Sequence, residues 1–294
     1  MLWLDKGSGA VAALTELYAV SPLLILCAVL ALLIRCARWH WLLARAGCSY
    51  PSMKGWLAYF SGFAFTASPG KVGKLARIRY FEPLGVSPPL VISAFVYERA
   101  LDVVVVLAIA LLAAWRWSIF PLAAGFAVLL VATVVWACRH PRQLDRIGNV
   151  LRRAGWLRLD RFFTFLKQGL AHTVTWTGPL DLTIALSLGI LAWGLTAVAF
   201  KLLLDSMGVN LPVAISLSLY PTAMLAGAAS MLPGGVGSTE VVLVSLLTGF
   251  DVPVATATVA AIGIRLSTLW LATLIGIGAM LALARTDLKR RVVE

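Results

Sequence analysis

Two short stretches of this chain are nearly the same, and each interrupts a hydrophobic segment. They read Ser68-Pro69-Gly70-Lys71-Val72-Gly73-Lys74 and Leu232-Pro233-Gly234-Gly235-Val236-Gly237-Ser238. The match continues downstream. Val86 and Val252 each lie at the start of the next apolar segment, and an arginine follows thirteen residues after each of them, Arg99 and Arg265. Broken hydrophobic segments at corresponding places in two halves of a membrane protein point to a transport site. The repetition therefore predicts a transporter built from two related halves.

Composition supports a membrane location. The chain is 61% hydrophobic and 13% charged, with a mean hydropathy of +0.91, whereas soluble domains average about 45–50% apolar and about 25% charged residues. Apolar runs of about 20 residues can span a bilayer, and we predict spans at about 17–34, 89–115, 118–138, 182–204 and 254–284. Two further runs, 55–68 and 213–232, end at the breaks. The first is too short to cross alone and predicts a re-entrant hairpin.

The predicted fold is an all-α integral membrane protein, a polytopic helical bundle in which two re-entrant or broken helix hairpins form an inverted repeat. We expect one membrane domain over residues 1–294. Its parts are a first half at about 17–138, an amphipathic basic segment at about 139–180, a second half at about 181–284 and a basic tail at 285–294. A basic amphipathic segment with aromatic residues is typical of an interfacial helix on an anionic leaflet.

The net charge of +12 is unevenly distributed. Basic residues concentrate in 35–54, 71–79, 139–167 and the tail, while acids outnumber bases in 1–16, 205–212 and 239–251. The positive-inside rule then places the N-terminus outside and the C-terminus in the cytoplasm, in the inner membrane. Three full crossings separate the two hairpins, and this odd number inverts the second relative to the first. Two full crossings at 213–250 would satisfy the charge pattern equally well.

Ionisable residues within predicted spans are costly and indicate function. Glu98, Arg99 and Asp102 form one cluster, and Arg265 lies in the last span. At about 1.5 Å per residue, Arg99 lies on the order of 15 Å from Pro89 and Arg265 on the order of 18 Å from Pro253, near the middle of a core about 30 Å thick.

Two interpretations of these groups compete. A guanidinium can grip a phosphate through two hydrogen bonds, so Arg99 and Arg265 are candidate headgroup ligands. Alternatively, Glu98 and Asp102, four residues apart on one helical face, neutralise an arginine and hold the bundle together. The substrate interpretation is preferred for the arginines, with the acids balancing them while the site is empty.

The breaks also carry chemistry. Proline removes a backbone donor and glycine permits positive φ, so one helix stops and another begins with free N–H groups that attract anions. Lys71 and Lys74 add positive charge at the first break, and Glu240 follows the second, where the Ser238 and Thr239 hydroxyls are candidate caps. The predicted hinge residues are Pro69, Gly70, Gly73, Pro233, Gly234, Gly235 and Gly237.

Other site types find little support in the sequence. The four cysteines and three histidines have no metal-ligand spacing, and no Ser-His-Asp set, Walker loop or dinucleotide fingerprint occurs. We predict no catalytic residue, cofactor or metal, and no nucleic-acid partner.

At these residues the chain resembles the membrane region of lysylphosphatidylglycerol synthases and its free-standing flippase-like or UPF0104 relatives. The resemblance covers most of residues 17–284 and rests on the motifs at 68–75, 97–102 and 232–240 together with Arg265. The family's first motif commonly reads Pro-Gly-[Arg/Lys]-x-Gly-[Glu/Asp], and Lys74 stands here in place of the acid. Fused members carry a soluble aminoacyl-transferase domain after the membrane part, whereas this chain ends ten residues after its last predicted span.

The resemblance implies lipid translocation or binding without lysyl-lipid synthesis, with phospholipid, hopanoid or polyprenyl-linked cargo. We therefore expect a transporter, not an enzyme, that moves an anionic phospholipid-like or polyprenyl-phosphate-linked lipid, with membrane lipids as partners. The alternatives are a membrane enzyme or accessory subunit of glycolipid or cell-envelope lipid synthesis, which could partner a lipid-synthesis enzyme, and a transporter of small solutes.

Overall fold

A computed structural model describes residues 2–66, 68, 73, 75–114, 143, 172–230 and 232–293. Throughout these residues the secondary structure is helical, with no strand. The predicted span at 118–138 and nearly all of the basic segment at 139–167 lie outside the described residues. The helices, in chain order, are α1 (Leu2–Arg45), α2 (Ser52–Ser61), α3 (Ile78–Phe81), α4 (Pro88–Ala114), α5 (Pro179–Ser206), α6 (Val213–Ala229), α7 (Ser238–Thr248), α8 (Val254–Arg265) and α9 (Leu271–Val293).

Three segments of the described chain are long and apolar enough to cross a membrane. They are Ala13–Arg45, Pro179–Ser206 and Val254–Arg285, and they confirm the helices predicted at 17–34, 182–204 and 254–284. The last of these is α8 and α9 joined by one π-helical turn, Leu266–Trp270. Single π turns inside α-helices are frequent at functional sites, and this one begins directly after Arg265.

The first helix differs from the prediction at its C-terminal end. Arg35 and Arg38 follow the apolar run 17–34 and are expected from the sequence in a cytoplasmic basic segment, but α1 continues through both of them to Arg45. Arg38 is fully buried. Arg77, expected in the second basic segment, is also buried, with its guanidinium 4.4 Å from the Trp39 ring centre and 4.7 Å from that of Tyr59.

Helices α1 and α5 end in the same way, 161 residues apart. Gly47 and Gly208 have φ of 83° and 72°, a left-handed conformation that glycine adopts without strain. In both caps the next amide bonds five residues back, Cys48 to Leu43 at 3.0 Å and Val209 to Leu204 at 2.9 Å, as in a Schellman motif. Each loop then ends in a proline, Pro51 or Pro212, that precedes the next helix.

A second pair of matching turns precedes α4 and α8, 166 residues apart. Gly85 and Asp251 have φ of 83° and 62°, and Asp251 is the one non-glycine residue with positive φ in the described chain. The amides of Val86 and Val252 each bond five residues back at 3.2 Å, to Phe81 and Leu247. The helix-break-helix segments are therefore framed by the same turns in both halves.

Helices α1 and α5 run antiparallel along each other. Arg45 at the end of α1 pairs with Asp181 in the first turn of α5, at 2.7 Å and 3.1 Å, and Arg35 lies over Trp193 in the middle of α5. Farther on, Leu24 of α1 shares an apolar cluster with Phe200 near the end of α5. The loops 46–51 and 207–212, which follow α1 and α5, consequently lie at opposite ends of the helix pair.

The helices before and after each break pack crosswise. The helix after the first break, α4, packs on α6, the helix before the second break. Reciprocally, α9 after the second break packs on α2 before the first and on the 3-10 turn Gly62–Phe65. A Cβ added at Gly276 of α9 would lie 2.2 Å from the Ala64 backbone nitrogen, so the two segments approach as closely as their backbones permit.

Candidate functional site

A buried ion cluster joins α1 to α4. Arg38 Nη2 donates to Asp102 Oδ1 at 2.7 Å, and its Nε donates to Glu98 Oε1 at 3.3 Å. Arg38 is 0% exposed and both carboxylates are buried. A buried charge is stable only when it is paired, so the acids and Arg38 hold α1 and α4 in register. The cation that neutralises Glu98 is thus Arg38, which the sequence assigns to a loop.

Arg99 lies at the edge of this cluster. Its Nη2 is 2.6 Å from Asp102 Oδ2, and its side chain is 28% exposed. The Nε of Arg99 is buried and makes no hydrogen bond to any described residue. Arg99 is therefore anchored at one nitrogen while other donors remain available.

Arg35 lies one turn before Arg38 on α1. Its guanidinium carbon is 4.8 Å from the centre of the Trp193 ring on α5, a cation–π distance. The Nε and Nη2 of Arg35 are buried, and neither finds a hydrogen-bond partner among the described residues.

Arg265 has a different environment, because three groups of the second half surround its guanidinium. Nε donates to Glu240 Oε1 at 2.7 Å, Nη2 donates to the Gly234 carbonyl at 2.7 Å, and Nη1 lies 3.6 Å from Met224 Sδ. The side chain is 2% exposed. Arg265 therefore ties the end of α8 to the second break and to the first turn of α7.

The second break is a run of left-handed glycines. Gly234, Gly235 and Gly237 have φ of 63°, 64° and 85°, and Pro233 begins the 3-10 turn, in agreement with the conformational freedom expected there. The Gly237 amide donates to Glu240 Oε2 at 2.7 Å. One Glu240 oxygen thus caps α7 while the other binds Arg265, so the helix N-terminus already holds an anionic group of the chain.

The hydroxyls next to this cap do not have the expected role. Ser238 Oγ donates to the Gly235 carbonyl at 3.2 Å, and Thr239 Oγ1 is buried without a hydrogen-bond partner in the described structure. A Cβ added at Gly227 of α6 would lie 2.0 Å from Thr239 Oγ1, which shows how tightly α6 and α7 meet beside the break.

The first break is described at two positions. The Gly73 amide donates to Ser68 Oγ at 2.7 Å, and a Cβ at Gly73 would lie 2.7 Å from Phe65 Cβ. The predicted site and hinge residues Pro69, Gly70, Lys71 and Lys74 lie outside the described residues.

Two adjoining cavities bring these groups together. The larger, about 130 Å³, is lined by Arg99, Asp102 and Trp193 and by both breaks, through Ser68 on one side and Gly234 and Gly235 on the other. The smaller, about 70 Å³, is lined by Arg35, Arg99 and Arg265. Arg99, Trp193 and Met224 line both. The two arginines at matching sequence positions thus face a common cavity, with Arg99 at its junction with the larger one.

This arrangement suits the binding of an anion. Guanidinium groups donate hydrogen bonds in a planar fork that matches phosphate and carboxylate oxygens, and hydrogen bonds are electrostatically stronger inside a protein than in water. Across the described residues, no three His, Cys, Asp or Glu side chains come together as metal ligands.

Arg35, Arg38 and Trp193 are the site residues that the sequence interpretation missed. A helical signal was available for the first two, because Trp39, Leu42 and Leu43 continue the apolar face of α1 beyond Ile34. The two partners of Arg38, Glu98 and Asp102, lie 60 and 64 residues away in the sequence. Only the folded structure shows that these residues are in contact.

Comparison with known proteins identifies the family of this chain. Residues 1–276 match the family described as the lysylphosphatidylglycerol synthase TM region. The chain belongs to this family. It is also similar to a protein called UPF0104 membrane protein from Methanothermobacter thermautotrophicus, with 27% identity over 117 residues. That alignment covers 40% of this chain and 35% of the relative, so the chain matches about a third of the relative's length. No solved structure matches the chain.

Proposed function

We propose that this protein is a lipid transporter of the cell inner membrane that moves an anionic phospholipid-like or polyprenyl-phosphate-linked lipid between leaflets. The headgroup passes through the two cavities, and the acyl or prenyl tails stay in the bilayer. The observation that carries the proposal is the pair of adjoining cavities at Arg99, of which the larger is lined by both breaks and the smaller by the two matched arginines. Family membership supports a membrane role for this region.

The two halves form an inverted repeat in this proposal, and each helix-break-helix segment is a re-entrant hairpin. Three observations support the inversion: the matching caps 161 and 166 residues apart, the antiparallel course of α1 and α5, and the crosswise packing of α4 on α6 and α9 on α2. Inverted repeats that meet near the bilayer midplane allow one half to rock against the other and expose a fixed site alternately to each side.

Each polar group has a proposed role. Arg99 and Arg265 hold the phosphate, and Lys71 and Lys74 recruit it from the cytoplasmic leaflet. Glu98, Asp102 and Glu240 balance the arginines while the site is empty. Since Arg265 also binds the Gly234 carbonyl, a phosphate that competes with Glu240 for Arg265 would loosen the second break, which couples binding to movement of α7.

Orientation follows the charge pattern, with the N-terminus outside and the C-terminus in the cytoplasm. The partners in this proposal are membrane lipids and a lipid-synthesis enzyme that supplies or consumes the cargo.

Reconstitution into liposomes tests the transport proposal. Fluorescent phosphatidylglycerol placed in both leaflets is bleached from outside by dithionite, and transport makes the protected inner-leaflet fraction accessible. We expect bleaching beyond the protein-free level with the wild type. The rate should fall about tenfold or more with Arg99→Gln, because charge-assisted hydrogen bonds contribute about 1.5–3 kcal/mol. Arg79→Gln is the matched control, since Arg79 is exposed on α3.

Analysis of the recovered lipid separates the alternatives. Unchanged lipid with Arg99-dependent bleaching supports transport. Chemically altered lipid would support the membrane enzyme or accessory subunit instead, and uptake of soluble phosphate without lipid movement would support a small-solute transporter.

A further inference from the structure

The smaller cavity, of about 70 Å³, is lined by Arg35, which has no part in the transport proposal. It is lined by Arg35, Arg99 and Arg265, by four hydroxyl-bearing residues and otherwise by apolar side chains and Met224. None of its described lining residues is acidic. The hydroxyl-bearing residues are Thr66, Thr196, Tyr220 and Thr268.

The hydroxyl groups of this cavity already donate hydrogen bonds within the protein. Those of Thr66, Thr196 and Thr268 donate to backbone carbonyls at 2.7 Å, 2.9 Å and 2.5 Å. The Tyr220 hydroxyl lies 2.9 Å from Thr268 Oγ1, and because the Thr268 proton is engaged, Tyr220 is the donor of that pair. The buried donors of the lining residues that lack a partner in the described structure are Nε and Nη2 of Arg35, Nε of Arg99 and the indole Nε1 of Trp193.

Buried charged donors without acceptors are unfavourable, and the three arginine donors belong to two side chains that line the same cavity. They call for an acceptor with several oxygens. A phosphate group meets this requirement because one oxygen can accept from each guanidinium.

The charge of the surroundings limits the charge of that ligand. Three arginines line the cavity, namely Arg35, Arg99 and Arg265. Asp102 pairs with Arg99, Glu240 pairs with Arg265, and behind them the buried Arg38 pairs with Glu98 and with Asp102. Four positive charges and three negative charges leave one excess positive charge. Arg77 does not line the cavity and lies between the Trp39 and Tyr59 rings. In a low-dielectric site an anion of single charge balances this excess, and a second negative charge would be uncompensated.

We propose that Arg35 and Arg99 bind a singly charged phosphodiester group, and that the cavity discriminates against a phosphomonoester, which carries about −1.5 to −2 at pH 7. This inference rests on the proposed function in one respect, namely that the phosphodiester group belongs to a lipid headgroup. It makes Arg35, stacked on Trp193, part of the binding site and selects the diester among the anionic lipids that the transporter could carry.

Lipid retention on the full chain tests the proposal without any transport step. The protein in detergent is incubated with equal amounts of dioleoylphosphatidylglycerol, a diester, and dioleoylphosphatidate, a monoester, and the retained lipid is measured by native mass spectrometry. We expect the diester to be preferred about tenfold at pH 8. The preference should approach one at pH 5.5, where the monoester, with a second pKa of about 6, carries a single charge.

Arg35→Gln should lower diester retention about tenfold or more, whereas Arg79→Gln should leave it unchanged. Glu98→Gln keeps an oxygen that can accept from Arg38 Nε but raises the excess charge to two. It should therefore shift retention at pH 8 toward the monoester. The folded yield and the melting temperature of each variant are measured as controls. If Arg35→Gln folds poorly, the shift of lipid preference toward the monoester in Glu98→Gln still tests whether charge selects the ligand.

Two soluble probes identify the source of the group. Glycerophosphoglycerol and inorganic phosphate are added as competitors, and a lipid site predicts that neither displaces phosphatidylglycerol at equal concentration. Displacement by glycerophosphoglycerol alone would assign the same diester chemistry to a soluble ester.

Equal retention of both lipids at pH 8, or diester retention unaffected by Arg35→Gln, would overturn the proposal. Diester selection without lipid movement in liposomes would contradict the transport function and leave this inference standing. Lipid movement without diester selection would support the transport function and overturn this inference.

Discussion

Arg99 and Arg265 occupy the same position in the two halves, yet their surroundings differ. Arg265 is 2% exposed, and its three nitrogens contact a carboxylate, a backbone carbonyl and a sulfur. Arg99 is 28% exposed, with one ion pair and one buried nitrogen that lacks a partner among the described residues. Both arginines line the smaller cavity. The second half also uses Arg265 to hold its own break together, while the first half leaves donors of Arg99 available.

The supporting charges explain this asymmetry. In the first half, Arg38 reaches across from α1 and occupies Glu98 and one oxygen of Asp102. In the second half, the positions 166 residues after Glu98 and Asp102 are Ile264 and Thr268, so Arg265 has no acid on its own helix and takes Glu240 from α7. A repeated sequence position thus specifies a location near the cavity, and the neighbouring side chains decide what the arginine does there.

The largest difference between the halves should appear when each arginine is replaced by glutamine. Arg265→Gln should lower the free energy of unfolding by about 3 kcal/mol, toward the lower end of the range for breaking a buried pair because Glu240 is 23% exposed. Arg99→Gln should cost under about 1 kcal/mol, as expected for a partly exposed pair, while it lowers the transport rate about tenfold or more. Thermal unfolding in detergent, with exposed Arg285 replaced by glutamine as the control, measures both.

A second variant sharpens this comparison. Adding Glu240→Gln to Arg265→Gln removes the stranded carboxylate and should recover part of the lost stability. If Arg99→Gln destabilises the protein as much as Arg265→Gln, the two arginines do not differ as described.

A smaller effect is expected where the second half docks on the first. Gly276→Ala should destabilise by about 1–3 kcal/mol, because the new Cβ would lie 2.2 Å from the Ala64 nitrogen and 2.6 Å from the Phe63 carbonyl carbon, both backbone atoms. Gly278→Ala is the matched control, since no heavy atom lies within 4 Å of its added Cβ. Equal melting temperatures for the two variants would mean that α9 does not approach the 62–65 turn so closely.

The smallest effect concerns Thr268, the second-half counterpart of Asp102. Thr268→Val removes the hydroxyl that accepts from Tyr220 and should cost about 1 kcal/mol, the net contribution of one hydrogen bond. Transport should persist. Thr258→Val is the control, because Thr258 makes the same bond to its own helix but is exposed. A loss of transport with Thr268→Val would instead show that this hydroxyl of the smaller cavity takes part in binding.

The sequence predicts the helices well because their signals are local. Apolar runs locate α5, α6 and the α8–α9 segment, and the glycines at 234, 235 and 237 indicate where the backbone must turn. The first helix is predicted too short. Its apolar run stops at Ile34, and charged residues after a span usually mark a loop.

The partners within the site depend on the fold. Glu98 lies 60 residues from Arg38, and Glu240 lies 25 residues before Arg265, so no spacing rule connects either pair. Arg35 and Arg38 count as surface charge until α4 supplies two carboxylates beside them. The sequence therefore indicates which residues are costly in a membrane, and the packing of α1 against α4 and α5 decides how that cost is met.

The central claim is that the halves are inverted, and one pair of positions tests it most directly. Ser49 and Asn210 are exposed, lie 161 residues apart in the matching loops and avoid the left-handed glycines beside them. With Cys27, Cys36, Cys48 and Cys138 replaced by alanine, each position is changed to cysteine and treated in intact cells with a membrane-impermeant thiol reagent. An inverted repeat predicts that Asn210→Cys is labelled and that Ser49→Cys is labelled only after the cells are opened. Labelling of both positions from the same side would contradict the inverted arrangement.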